Sequence, residues 1–170
     1  MRTAQTIPAL MVLEAVAKVV SKNGEREVQL ENLFNAPYRT NLRPDEILVR
    51  VSFQKLHPDA KTSVVRLARR ETLAIARMSV AVVLQREGES GLLKDVRISV
   101  GAVMPAPHRM LEAETLLRGT SATEEILQLA SRKVSETMIQ RSGVRPSTSY
   151  KAPVVEALFV RAVKGAMGRG

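Results

Sequence analysis

The side chains of this sequence that invite a chemical reading are Glu112 and Glu114, the histidines His57 and His108, and the cations Lys61, Arg66, Arg69, Arg70 and Arg77. Two carboxylates can share acid and base work only when both face one site. Glu112 and Glu114 stand two residues apart in a helical stretch, which turns them to different sides. Glu112 is expected to act as favourable negative charge in a first helical turn. His57 precedes a proline and His108 follows one, and neither has a cysteine or a suitably spaced carboxylate beside it. That spacing does not support metal ligation, and both read as exposed loop histidines. No serine sits in a nucleophile-elbow setting, and no glycine-rich phosphate motif is present. The chain has no cysteine, which excludes a disulfide, a thiolate metal site or an iron–sulfur cluster within it. The cations between 61 and 77 read as a charged strand edge that resists aggregation.

The elements that must position these residues follow from periodicity. Ser63–Ala68 is a strand candidate. From Ala76 to Gln85 the apolar side chains Met78, Val80, Val82 and Leu84 alternate with a set that includes Arg77 and Ser79. Period-two patterning of this kind predicts a strand with one face buried, so truncating Val80 or Val82 should cost more than truncating Val83. Val96, Ile98 and Val100 repeat the pattern across a polar turn containing Gly88 and Gly91. The segment 101–107, with Pro105 and Pro107, breaks the ladder, because proline has no N–H to donate. A helix carrying Leu111, Glu112, Glu114, Leu116 and Leu117 then ends at Gly119.

On either side of this block the signals are local. A short helix is expected near Pro8, then a hairpin over 18–30 turning at Asn23-Gly24, one helical turn at 31–34 and a strand at 47–53. The likeliest boundary by composition is His57–Lys61. Downstream, Ser121 and Glu124 fit a capping box, and Ile126, Leu127, Ala130, Val134 and Met138 form one helical stripe. Val154, Val155, Leu158, Phe159, Ala162 and Val163 form another, with Pro153 at the edge of its first turn if that helix starts at Ser149.

The chain has 170 residues, 45% of them apolar and 25% charged, which suits one large or two small domains with an aliphatic core. No apolar run reaches membrane-spanning length and no signal-peptide layout opens the chain, so a cytoplasmic location is the default. The net charge is +9, from 26 Lys and Arg against 17 Asp and Glu. The cations are scattered and the few aromatics isolated, which fits a basic surface or an acidic partner subunit better than nucleic-acid binding.

The run Arg66-Leu-Ala-Arg-Arg-Glu-Thr-Leu-Ala-Ile-Ala-Arg-Met-Ser-Val-Ala, then Arg97-Ile-Ser-Val-Gly-Ala-Val-Met-Pro-Ala-Pro-His-Arg, then Leu111-Glu-Ala-Glu-Thr-Leu-Leu-Arg-Gly resembles the C-terminal domain of flavin subunits of molybdenum hydroxylases, the xanthine dehydrogenase and carbon monoxide dehydrogenase family. Leu42–Leu48, Leu-Arg-Pro-Asp-Glu-Ile-Leu, resembles the tail of the family's flavin-binding lobe, and 147–151 resembles the entry to its final helix. The resemblance implies an α+β fold. A partial second lobe of the FAD-binding domain would occupy residues 1–57. A three-stranded antiparallel sheet covered by three helices would occupy 61–167.

In function the resemblance implies the C-terminal part of an FAD-binding subunit. That part closes one side of the flavin site and docks molybdenum and iron–sulfur subunits, in an enzyme that moves electrons from molybdenum through iron–sulfur clusters to FAD. Arg66 falls where the family has a lysine beside the flavin. Ile47 and Leu48 match apolar residues lining the ring, and Leu73, Ala74 and Ile75 match a segment passing near it. A cation at Arg66 would favour the reduced, anionic flavin by Coulomb attraction. The family's glycine-rich loops for the flavin pyrophosphate have no counterpart between Met1 and Pro8, and Gly24 is the sole glycine before residue 80. FAD is therefore expected in the intact enzyme and weakly or not at all on this chain alone. The apolar side of residues 1–57, with Leu10, Leu13, Val28, Leu30, Ile47 and Val49, is expected to pack on a second chain, either a separate flavin lobe or a copy of itself. The alternative is a non-enzymatic basic scaffold or nucleic-acid-associated module that kept the fold without the flavin.

Overall fold

The computed structural model describes residues 6–36, 39–68, 76–88 and 90–168. Helix α1 (Thr6–Val12) leads into β1 (Val16–Ser21) and β2 (Gly24–Gln29), which pair as a hairpin. The turn is Lys22-Asn23, and Gly24 opens the second strand at φ 133°, a conformation that glycine adopts without strain. A single 3-10 turn at Leu30–Leu33 and a small ladder between β3 (Phe34–Ala36) and β4 (Arg39–Thr40) follow. Strand β5 (Ile47–Ser52) returns beside β1, giving a three-stranded sheet of order β2-β1-β5. Met11, Ala15, Ala17, Leu30 and Leu33 form a small core on one side of it.

The second sheet joins β6 (Lys61–Leu67), β7 (Met78–Arg86), β8 (Leu93–Gly101) and β9 (His108–Arg109), all antiparallel and in that order. The three long strands are those the alternation anticipates; the proline corner adds β9, a two-residue fourth strand. Cross-strand pairs Val80–Val100, Val82–Ile98 and Leu84–Val96 share one face. That face is covered by α2 (Leu111–Leu117), α3 (Glu124–Ser142) and α4 (Thr148–Ala166), and together they enclose the main core. The expected α+β architecture, an antiparallel sheet under three helices, is present.

The opposite face departs from the one-sided expectation. Ala81 and Val83 are as buried as Val80 and Val82, because Val12 of α1 lies against them with Leu56 and Ala60 alongside. At the far end of β8, a side chain on Gly101 would place its Cβ 2.5 Å from Ser79 Oγ and 2.6 Å from Pro8 Cγ. A glycine is therefore what allows α1 to come this close. The N-terminal segment thus packs on its own C-terminal sheet, and Leu30 is buried, while Ile47 and Val49 remain exposed. Val82→Ala and Val83→Ala should consequently destabilise by similar amounts, about 1–3 kcal/mol each. Denaturant unfolding checks this, and a loss at Val83 under a third of that at Val82 would contradict two-sided burial.

Two helix starts also differ from expectation. Thr123, not Ser121, caps α3, its hydroxyl accepting from Ile126 N–H at 3.5 Å, while Glu124 pairs with Lys164 at 2.8 Å. Ala122 lies in the left-handed region, which ends the preceding loop too late for Ser121 to serve as cap. Helix α4 starts at Thr148, so Pro153 lies inside it rather than at its edge.

Candidate functional site

Ile47 and Leu48 lie on β5, an edge strand of the first sheet. A bulge opposite Lys18/Val19 pairs Leu48 with the buried Val19 and Ile47 with Val20, so the two side chains leave opposite faces. Ile47 is 69% exposed, and with Leu48 and Val49 it makes β5 the strand with the most exposed large apolar side chains among the described residues. Arg66 lies on β6, the edge of the second sheet, opposite Ser79, and is exposed. The structure therefore places Ile47 and Leu48 on one sheet and Arg66 on the other. Leu73 and Ile75, like Ala74, Arg69 and Arg70, lie outside the described residues.

The residues that do converge are ones the sequence reading set aside. Glu114 is 1% exposed and accepts both arms of Arg109, Nε at 2.9 Å and Nη2 at 2.7 Å, together with Ile98 N–H at 2.8 Å. Such a two-pronged pair is the favoured way to hold a carboxylate out of water. Arg109 Nη1 donates to Glu14 at 2.6 Å, and the second oxygen of Glu14 meets Arg97 at 3.0 Å. Arg97 also holds Asp95 at 2.8 Å. Burial alone would lower the Arg109 pKa, but its bonds to Glu114 and Glu14 raise it overall, so the guanidinium stays charged.

His108 is no free loop histidine. Its Nδ1 lies 3.2 Å from Glu31 Oε1, which also accepts Arg109 N–H at 3.3 Å. The His108 ring first, and that backbone donor second, hold the Glu31 carboxyl below the usual carboxylate range. Glu112 stands in the first turn of α2, as expected, where it faces solvent and also pairs with Lys133 at 3.5 Å. The overlooked signal was Glu114 itself. Met110, Ala113 and Leu117 mark the buried stripe of α2, and a carboxylate at 114 falls inside it, five residues from an arginine.

A second polar knot ties the N-terminal sheet to its loop. Arg26 grips Glu46 with Nε at 2.7 Å and Nη2 at 2.8 Å, and Arg43 N–H donates at 2.7 Å. The Arg26 fork, with that backbone donor, holds the Glu46 carboxyl at about 2. This fixes the loop that delivers β5. Elsewhere, an open groove of about 510 Å³ lies between α3 and α4, lined by Gln128, Pro153, Glu156, Val160 and Lys164 among others. Among the described residues no group of three or more His, Cys, Asp or Glu is placed to hold a metal, and no helix is long and apolar enough to cross a membrane.

An antiparallel sheet backed by three helices on one face, with the helix that leads into a second antiparallel sheet packed on its other face, defines the class: an α+β protein that carries Ile47, Leu48 and Arg66 on exposed strand edges. Residues 63–166 match the family of CO dehydrogenase flavoprotein C-terminal domains, and the chain belongs to that family. Residues 1–54 match the FAD binding domain in molybdopterin dehydrogenase. The resemblance drawn from residues 66–119 is thereby borne out.

Among relatives, the nicotine 6-hydroxylase medium subunit of Paenarthrobacter nicotinovorans is 29% identical over 160 residues, covering 94% of this chain and 55% of that protein. The glyceraldehyde dehydrogenase medium chain of Sulfolobus acidocaldarius is 26% identical over 155 residues, covering 91% and 54%. This chain thus spans little more than half the length of these relatives. The solved carbon monoxide dehydrogenase from Hydrogenophaga pseudoflava superposes with a TM-score of 0.85 at 24% identity, over 95% of this chain and 55% of that one. Quinoline 2-oxidoreductase from Pseudomonas putida 86 superposes at 0.79 and 26% identity, again over 95% and 55%.

Proposed function

We propose that this chain forms part of the FAD-carrying subunit of a molybdenum hydroxylase, where it closes one side of the flavin site and docks molybdenum and iron–sulfur subunits. The observation that carries this is the order of the two family matches: an FAD-domain tail over 1–54 runs directly into the flavoprotein C-terminal domain over 63–166. The proposed division between the two falls at His57–Lys61. The family match favours this over a basic scaffold or nucleic-acid module.

The residues fit one half of the cofactor. Ile47 and Leu48 put apolar side chains on the two faces of an open strand edge, so either face could meet the ring, and Arg66, Leu73 and Ile75 would complete the proposed ring contacts. When bound, FAD would supply the electron acceptor of the intact enzyme. Arg66 would set a fixed positive charge beside the ring, lowering the energy of negative charge that gathers there. The pyrophosphate half is not fitted, because the glycines that could cradle an anion are missing from 1–80 except for Gly24, which serves the hairpin. The apolar β5 edge, with unpaired backbone groups, is where a separate flavin lobe or a second copy of this chain would add.

Two outcomes are expected of the purified 170-residue chain. It should be colourless and bind added FAD weakly, and light scattering should report a dimer or larger species. Near-stoichiometric flavin absorbance in the visible would overturn the first expectation, and a monomer at all accessible concentrations the second.

A further inference from the structure

The joint between the N-terminal segment and the C-terminal sheet has two unlike parts. Its apolar part is small, built on Val12, Ala81 and Val83 with Leu56 and Ala60 beside them. Apolar contact is non-directional, and with Pro8 seated on Gly101 it holds α1 on the sheet, but none of these residues lies on β1 or β5. The polar part is directional. Glu14 reaches Arg109 with one oxygen and Arg97 with the other, and Glu31 meets His108 Nδ1 and Arg109 N–H. The rest of the Arg109 fork is committed to the buried Glu114, which also takes the Ile98 N–H. The C-terminal core therefore orients the guanidinium before Glu14 meets it. Glu14 sits at φ 53°, a left-handed conformation in which glycine or asparagine would be less strained. A charged side chain kept in such a conformation points to a use for its carboxylate.

We propose that Arg109 is a positioning residue. By presenting Nη1 to Glu14 while Glu114 holds the remainder of its fork, it fixes the angle between the sheet bearing Ile47 and Leu48 and the sheet bearing Arg66. The two sheets are linked by residues 53–60, which form neither helix nor strand, so the segment can swing when the clasp opens. The consequence for flavin rests on the function proposed above, whereas the clasp itself does not.

The absence of cysteine makes the test direct. Spin labels are attached through Lys22→Cys, in the exposed hairpin turn, and Arg132→Cys, on the exposed side of α3. The parent chain should give one narrow distance distribution. With Glu14→Gln and Glu31→Gln added, the distribution should widen at least about twofold, and amide exchange in α1 and β1 should quicken about tenfold while β7, β8 and α2–α4 are unchanged. Arg109→Lys, which keeps a charge for Glu114 but lacks the fork, should widen the distribution in the same way. A distribution as narrow as the parent's, or exchange that quickens equally in both segments, overturns the proposal. The measurement needs no flavin, so its failure and that of the flavin assignment are read separately.

Discussion

Replacing Glu114 by alanine is expected to lower the unfolding free energy by about 3–5 kcal/mol, the usual result of leaving one partner of a buried ion pair alone. Glu114 is almost fully buried, and its loss would strip Arg109 of two of its three side-chain bonds and leave Ile98 N–H without an acceptor. Glu14 would not compensate. It is half exposed, engages the single Nη1, and its attraction is screened by water. Glu112→Ala, two residues away and facing solvent, should change stability by no more than about 0.5 kcal/mol. The double change Glu114→Leu with Arg109→Met should recover most of the loss, because replacing both members of a buried pair by apolar residues is often neutral. Urea unfolding of the parent chain and these three variants decides the matter. A loss under about 1 kcal/mol at Glu114 would mean that the pair is hydrated.

Phe159→Ala should cost a similar amount, about 3–5 kcal/mol, through a different mechanism. Phe159 is the bulkiest of the fully buried side chains, and it projects from the centre of α4 into the core that the helix shares with the sheet. That helix lies close on its sheet: a Cβ on Gly165 would sit 3.1 Å from Ser63 Oγ. With the backbone already in contact at this end, the helix cannot move inward to fill the space that a missing ring would leave. The removed transfer energy and the residual cavity therefore add. Tyr150→Ala, half exposed on the first turn of the same helix, should cost far less. Comparable losses at the two positions in thermal or denaturant unfolding would show that the core is loosely packed around Phe159.

These expectations separate what can be read locally from what cannot. Alternation in Met78–Leu84 and Val96–Val100 and the prolines at 105 and 107 placed the strands and the corner. The stripes at 126–138 and 154–163 placed the helices, and the motif run from Arg66 to Gly119 carried the family. Each of these is a property of neighbouring residues, because backbone pitch converts spacing along the chain into a face in space. The hairpin was legible from Asn23-Gly24, although its turn falls one residue earlier, at Lys22-Asn23, and Gly24 opens the second strand.

The burial of Ala81 and Val83 was not, since small residues on the second face of a strand suit either solvent or a covering helix. The element that covers them, α1, lies some seventy residues earlier in the chain. Nor was the pairing of His108 with Glu31 across 77 positions, or of Arg109 with Glu14 across 95. Arg109 and Glu114 are only five apart, but whether they meet depends on β9 turning back beside β8 and aiming the arginine into the sheet–helix seam. By itself the sequence determined which segments are strands and helices and to which family they belong, because periodicity and motifs are short-range. Tertiary structure decided which polar residues matter, because a charge leaves water only where distant elements close over it and supply its partner.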